Sequence, residues 1–182
     1  VLAIYATAEL LGLEEQEILR LLSILESVSG RFQYIISDQN ITAIVDYAHT
    51  PDALEKVLQT IRDIRDSNNQ IITVFGCGGD RDRSKRPLMG SIAEEFSDQL
   101  FITSDNPRSE EPQKIVNDIL MGIKKREKII IEIDRFKAIN ESIKFANKED
   151  IVLIAGKGHE DYQILNDKVI NFDDRKIAQK LL

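Results

Sequence analysis

Five short runs, ITAIV (41–45), IITVF (71–75), LFIT (100–103), IIIEI (129–133) and IVLIA (151–155), are apolar at nearly every position rather than at every second one. A strand wetted on one face alternates, whereas a continuous apolar run of this length is covered on both faces. Segments with helical spacing lie between the runs. In PDALEKVLQTIRDIRDS (51–67), Leu54, Val57, Leu58, Ile61 and Ile64 form one stripe, with Pro51 suited to a first turn and Thr50 to the cap before it. LMGSIAEEFSD, EEPQKIVNDILMGI and DRFKAINESIKFANK read as helices in the same way. Strand–helix alternation of this kind predicts an α/β fold: a Rossmann-like, mostly parallel sheet with helices on both faces. FQYII and ITAIVDY, joined by the polar SDQN, predict an N-terminal hairpin. KVINFDD reads as a short strand and RKIAQKLL as a last helix.

The first 29 residues have a different texture. VLAIYATAELLG is apolar all round and stops at Gly12, while Ile18, Leu21, Leu22 and Leu25 give the next segment a helical face. Ser29-Gly30 breaks the pattern and marks the one expected boundary, between 1–29 and 30–182. The chain opens on Val1 without a methionine, so the expectation is a piece of a longer protein. No apolar stretch approaches a membrane span, and no signal peptide opens the chain. Cys77 is alone, which excludes an internal disulfide and suits a reducing, cytoplasmic compartment. The net charge of −7, without a basic tract, argues against nucleic acid as a partner and leaves small anionic ligands open.

Four loops follow strands, and in a parallel sheet they meet at one edge, outside the carboxyl ends of the strands. In DYAHTPD (46–52), Asp46 ends an apolar strand, where a carboxylate can hold a ribose hydroxyl, and His49 is either structural or part of a site. Two histidines and scattered aspartates show no metal-ligand spacing. GCGGDRDRSKRP (76–87) is neither a Walker loop nor a dinucleotide fingerprint, because Arg81 stands where the last glycine is needed. It brings Arg81, Arg83, Lys85 and Arg86, which are either a solvated loop or a seat for a carboxylate or phosphate. In SDNPRSEEP (104–112), Pro107 stiffens the corner, Asp105 can pair with Arg108 or another cation, and Arg108 with Asn106 can instead grip a ligand carboxylate. In GKGHED (156–161), Gly156 and Gly158 allow close backbone approach, and Glu160 either binds an ammonium or caps a helix. Arginines opposite a glutamate complement an amino acid carrying an ammonium and a carboxylate at one end.

SGRF, DYAHTPD, GCGGDRDRSKRPLMG, SDNPRSEEP and GKGHEDYQ, in this order and spacing across residues 30–182, resemble the C-terminal domain of the Mur ligases. The DNPR form resembles the branch that adds meso-diaminopimelate; lysine-adding relatives carry another residue in place of this arginine. The resemblance implies an ATP- and Mg2+-dependent ligase of peptidoglycan synthesis, acting on UDP-MurNAc-dipeptide through an acyl phosphate that the diaminopimelate amine attacks. It implies that Arg31 reaches the ATP phosphates, that Asp46 holds the nucleotide ribose, and that His49 lies near the nucleotide. Arg81, Asn106, Arg108, Gly156 and Glu160 match positions lining the diaminopimelate pocket, with Pro107 and Ser109 shaping the loop. The N-terminal UDP-binding domain and most of the central ATPase domain of such a ligase are missing, except the last central helices at 1–29. The polypeptide is therefore expected to be inactive alone. A lysine-adding ligase and a stand-alone small-ligand-binding domain are the alternatives.

Overall fold

The computed structural model describes residues 2–24 and 28–182. Leu25, counted above in a helical face, lies outside them. Two helices, α1 (Leu2–Leu10) and α2 (Glu15–Ser23), come first, and Gly12 takes the left-handed backbone (φ +80°) between them.

From residue 33 onward a six-stranded sheet is built in the order β1-β2-β6-β3-β4-β5. Its strands are β1 (Gln33–Ile36), β2 (Thr42–Asp46), β3 (Ile71–Phe75), β4 (Gln99–Ile102), β5 (Ile129–Ile131) and β6 (Ile151–Ala155). β1 pairs antiparallel with β2 as the expected hairpin, and every other pairing is parallel. The helices are α3 (Pro51–Ile64), α4 (Lys85–Phe96), α5 (Pro112–Leu120), α6 (Arg135–Phe145) and α7 (Asp174–Leu181).

The unbroken apolar runs are explained by two cores. Ile71 and Phe75 of β3 and Ile151, Leu153 and Ala155 of β6 face Leu54, Leu58 and Ile61 of α3, Met89 of α4 and Ile119 of α5. Their neighbours Ile72, Val74, Val152 and Ile154 point the other way, onto Ala138, Ile139 and Ile143 of α6 and Ala178 of α7. Successive strand residues alternate faces, so both parities must be apolar. Thr50 caps α3 by accepting from Ala53 N, with Pro51 in the first turn.

α6 carries the chain back across the sheet, so that β6 inserts between β2 and β3. The chain leaves β2 and β3 toward one face and β6 toward the other, which opens a crevice over the carboxyl end of β6. GKGHED starts no helix there. It leads into β7 (Tyr162–Leu165), which pairs antiparallel with β8 (Lys168–Asn171) in a separate two-stranded sheet. The run after Asp161 had no assignment from the sequence: four residues with a polar, buried Gln163 give too little pattern to separate strand from loop.

Candidate functional site: a charged cleft at the carboxyl edge

The loops after β2, β3, β4 and β6 meet at one edge and enclose a cleft of about 560 Å³. His49, Arg81, Asn106, Arg108, Gly156 and Glu160 all line it, joined by Tyr47, Lys85, Asp105 and Tyr162.

Asn106 is buried and its side chain makes three hydrogen bonds. Its Oδ1 accepts from Lys157 Nζ at 3.0 Å and from Ile164 N at 3.0 Å, and its Nδ2 donates to Glu160 Oε2 at 3.0 Å. Glu160 also receives the Tyr47 hydroxyl at 3.4 Å on Oε1. Burial, and then the Glu160 carboxylate, push the Tyr47 hydroxyl above its ordinary pKa. Arg108 holds a left-handed backbone (φ +50°), uncommon for a residue with a Cβ, and its Nη1 donates to Gly79 O at 2.9 Å and Asn106 O at 3.4 Å. Neither Arg81 nor Arg108 has a carboxylate partner among the described residues. Both guanidiniums are thus held by backbone oxygens and keep their charge for a ligand. Gly156 takes φ +117°, a backbone that residues with a Cβ rarely adopt, and a Cβ there would lie 2.7 Å from Asp105 Oδ2.

The basic loop is divided by the fold. Arg86 is fully buried, with Nη2 2.7 Å from Glu110 Oε1 and Nη1 2.9 Å from Asp118 Oδ2, and Arg83 also reaches Asp118 at 3.0 Å. Arg86 is structural and the exposed Arg83 is paired outside the cleft, which corrects the reading of four cations available to an anion. Arg81 and Lys85 remain at the cleft, Lys85 donating to His49 O at 2.7 Å. Pro107 and Ser109 do not line the cleft. Ser109 Oγ donates to Asp80 Oδ1 at 2.7 Å and ties two loops together behind the rim, while the Pro107 carbonyl accepts from Glu110 N at 3.0 Å within its own turn.

Arg31 and Asp46 sit beside the cleft rather than in it. The Arg31 guanidinium lies 4.7 Å from the centre of the Tyr47 ring. Asp46 Oδ2 accepts from Phe32 N at 2.7 Å, which pins the segment carrying Arg31 to the end of β2. His49 is exposed, its Nδ1 2.8 Å from Tyr47 O. Among the described residues no group of three or more His, Cys, Asp or Glu converges to hold a metal. Cys77 lines the cleft as an inert thiol, because burial pushes its pKa up to about 12.

Lys157 was missed from the sequence. Its side chain is fully buried, and Asp105, expected to pair with Arg108 or another cation, stands 3.8 Å from its ammonium. Glu160, expected to bind an ammonium, already has this one at 3.4 Å. The available signal was a lysine between two glycines directly after a fully buried strand, where a long cationic chain has no route to water.

Comparison with known proteins places this geometry. The pattern of the family described as "Mur ligase, glutamate ligase domain" matches residues 30–158. The chain belongs to that family. A UDP-N-acetylmuramoyl-L-alanyl-D-glutamate–2,6-diaminopimelate ligase of Prochlorococcus marinus subsp. pastoris is 72% identical over 92% of this chain and 34% of its own length. The ligase of the same name from Clostridioides difficile is 50% identical over all of this chain and 37% of its own length. The chain thus spans about a third of the length of the curated relatives it matches. A solved structure of a ligase with that name superposes with a TM-score of 0.79 at 41% identity, covering 97% of this chain and 36% of that one. UDP-N-acetylmuramate–alanine ligase from Thermotoga maritima, at 21% identity and a TM-score of 0.66, shares the fold. No helix among the described residues is long and apolar enough to cross a membrane.

Proposed function

We propose that this chain is the amino-acid-receiving domain of an ATP-dependent ligase that adds meso-diaminopimelate to UDP-N-acetylmuramoyl-L-alanyl-D-glutamate in the cytoplasm. The carrying observation is that Arg81 and Arg108, free of carboxylates, face Glu160 and Asn106 across one cleft. A carboxylate and an ammonium on the same carbon fit between them, and diaminopimelate has such a zwitterionic end distal to its reacting amine. Lysine has no carboxylate there and leaves Arg108 idle. The names of the two relatives and of the solved structure support the same substrate.

The reaction needs the D-glutamate γ-carboxylate to take the γ-phosphoryl group of ATP, giving an acyl phosphate and ADP. The diaminopimelate amine then attacks the acyl carbon, and phosphate leaves from the tetrahedral intermediate as the amide forms. This domain holds the amine in line, which makes the second step effectively unimolecular. Arg31, exposed and stacked on Tyr47, is positioned to meet phosphate charge, and Asp46 and His49 flank it toward the nucleotide. The described residues suit the phosphates and ribose, and Mg2+ would be held mostly by the central ATPase domain.

Residues 1–29 are the last helices of the central ATPase domain, and 30–182 the C-terminal domain. Exposed Leu2, Leu10, Leu11, Ile24 and Val28 support this reading, as apolar surface that a preceding domain would cover. The fragment alone carries no turnover. Arg108→Ala in the full-length enzyme tests the assignment. The expected result is a loss of about a hundredfold in kcat/KM for diaminopimelate, as for deleting one half of a charge-assisted contact. Unchanged diaminopimelate incorporation would show that Arg108 does not set the specificity, and a parent enzyme that takes lysine in preference to diaminopimelate would show a lysine-adding ligase instead.

A further inference from the structure

We propose that Lys157 is a positioning residue of the amino-acid cleft, an internal counter-ion that reinforces the polarity of Asn106 and sets the charge that meets the ligand's ammonium. The inference rests on the diaminopimelate reading above and deepens it.

Lys157 follows β6, and its side chain turns back under the cleft between Gly156 (φ +117°) and Gly158 (φ +52°). The ammonium is wholly enclosed. It donates to Asn106 Oδ1 at 3.0 Å and Glu160 Oε2 at 3.4 Å, stands 3.8 Å from Asp105 Oδ1, and lies 5.6 Å from the centre of the Tyr162 ring. A lysine buried without such partners would shed its proton. Here two carboxylates and an amide oxygen replace its water.

The first consequence concerns Asn106. A carboxamide can in principle turn over, exchanging its oxygen and nitrogen. Turned over, Asn106 would aim its NH2 at two donors, Lys157 Nζ and Ile164 N, and its oxygen at the Glu160 carboxylate. Lys157 Nζ and Ile164 N together allow only one hydrogen-bonded orientation, and it directs Nδ2 onto Glu160 Oε2. That contact occupies the inner oxygen of Glu160, while Oε1 carries only the long contact from Tyr47. Lys157, which also reaches that inner oxygen at 3.4 Å, thereby helps set which carboxylate oxygen a ligand ammonium finds.

The second consequence is charge. Asp105 and Glu160 bring two negative charges to the cleft floor and Lys157 one positive, leaving a surplus of one. One surplus negative charge matches one ligand ammonium. Without the lysine the two carboxylates face each other with no cation between them, and repulsion drives them apart. That arrangement does not present Glu160 in the orientation that the cleft requires.

The test is steady-state kinetics of the full-length ligase carrying Lys157→Met, which keeps the length and apolar stem of the side chain. The KM for diaminopimelate should rise about ten- to a hundredfold, the range for losing a hydrogen bond to a charged group. The KM values for ATP and the UDP-MurNAc-dipeptide should stay within about threefold, and kcat should change less than the diaminopimelate KM. A second arm reads charge rather than packing. Adding Asp105→Asn to Lys157→Met restores the surplus of one and should recover part of the lost diaminopimelate affinity. A lysine that merely fills space predicts that the double variant is worse than the single one, and that result overturns the proposal. So does an unaltered diaminopimelate KM in Lys157→Met, or an equal loss in all three KM values. The Arg108→Ala enzyme measured alongside separates the two readings. If it is impaired while Lys157→Met is normal, only the counter-ion proposal fails. If both handle diaminopimelate like the parent, diaminopimelate does not bind in this cleft and the reading beneath both proposals is wrong.

Discussion

Arg86 shows how a single residue can be misjudged from its neighbours in sequence. It sits in a run of cations, yet its guanidinium is enclosed and shared between Glu110 and Asp118. Those partners lie on α5 and the loop before it, so the pair fastens the start of α4 to the segment that carries Arg108. Nothing within ten residues of Arg86 announces them, which is why Arg81 and Lys85 could not be told from Arg83 and Arg86 beforehand. The hydrogen bonds from Arg86 hold the Glu110 carboxyl down at about 2, well below its ordinary 4.5. A depressed carboxyl contributes stability in full above its unfolded pKa and loses it as pH falls through the folded one. The contribution of Glu110 is therefore complete above about pH 4.5 and disappears toward pH 2. Glu110→Gln should cost about 2 kcal/mol near neutral pH, since it uncovers part of a buried charge, and progressively less below pH 4. Thermal unfolding of parent and variant from pH 7 to pH 2 checks this, and a difference that does not shrink with acid contradicts it.

At the scale of elements, the hairpin of β7 and β8 determines where the cleft's key loop stands. Gln163 Nε2 donates to Asp105 O at 2.7 Å, Ile164 N to Asn106 Oδ1 at 3.0 Å, Arg108 N to Ile164 O at 3.2 Å, and Asn166 N to Arg108 O at 2.9 Å. β7 thus runs alongside residues 105–108 as a short parallel clamp, and it holds Arg108 in its left-handed backbone. The strands of the main sheet were legible because burial on both faces leaves unbroken apolar runs, and α3 was legible from its stripe and cap. β7 was not, because its stability comes from pairing with a loop rather than with the core, and Tyr162 and Gln163 carry no apolar periodicity. The loop motifs were legible as a set, yet the clamp that aligns them was silent. Gln163→Ala removes one strand of the clamp without touching the ligand-facing groups. It should raise the diaminopimelate KM of the full-length enzyme about tenfold, with the KM for ATP unaltered. Equal affinity for diaminopimelate in this variant would mean that the 105–108 loop keeps its shape unaided.

At the scale of the whole molecule, the proposed boundary at Ser29-Gly30 would leave both cores and the cleft in one self-sufficient unit. Neither core cluster takes a residue from α1 or α2. Ile18, the one buried apolar side chain of these helices among the described residues, belongs to neither. The junction itself is fastened to the later residues: Gly30 (φ +69°) lies so close to Gly158 and His159 that a Cβ would come 2.1 Å from His159 N. Gly30 N also donates to Gln33 Oε1 at 2.9 Å, and Arg175 reaches Ser29 Oγ. Any closure of this domain onto a preceding one would then pivot before Ser29, and the Arg31 segment would travel with the cleft as a rigid part. A chain trimmed to residues 29–182 should accordingly unfold cooperatively, with a midpoint within about 3 °C of the 182-residue chain, because no core contact is lost. It should also bind diaminopimelate with the same affinity in calorimetry. A midpoint lowered by about 10 °C or more would show that α1 and α2 are integral to the fold, and that the boundary drawn at residue 30 divides one cooperative unit.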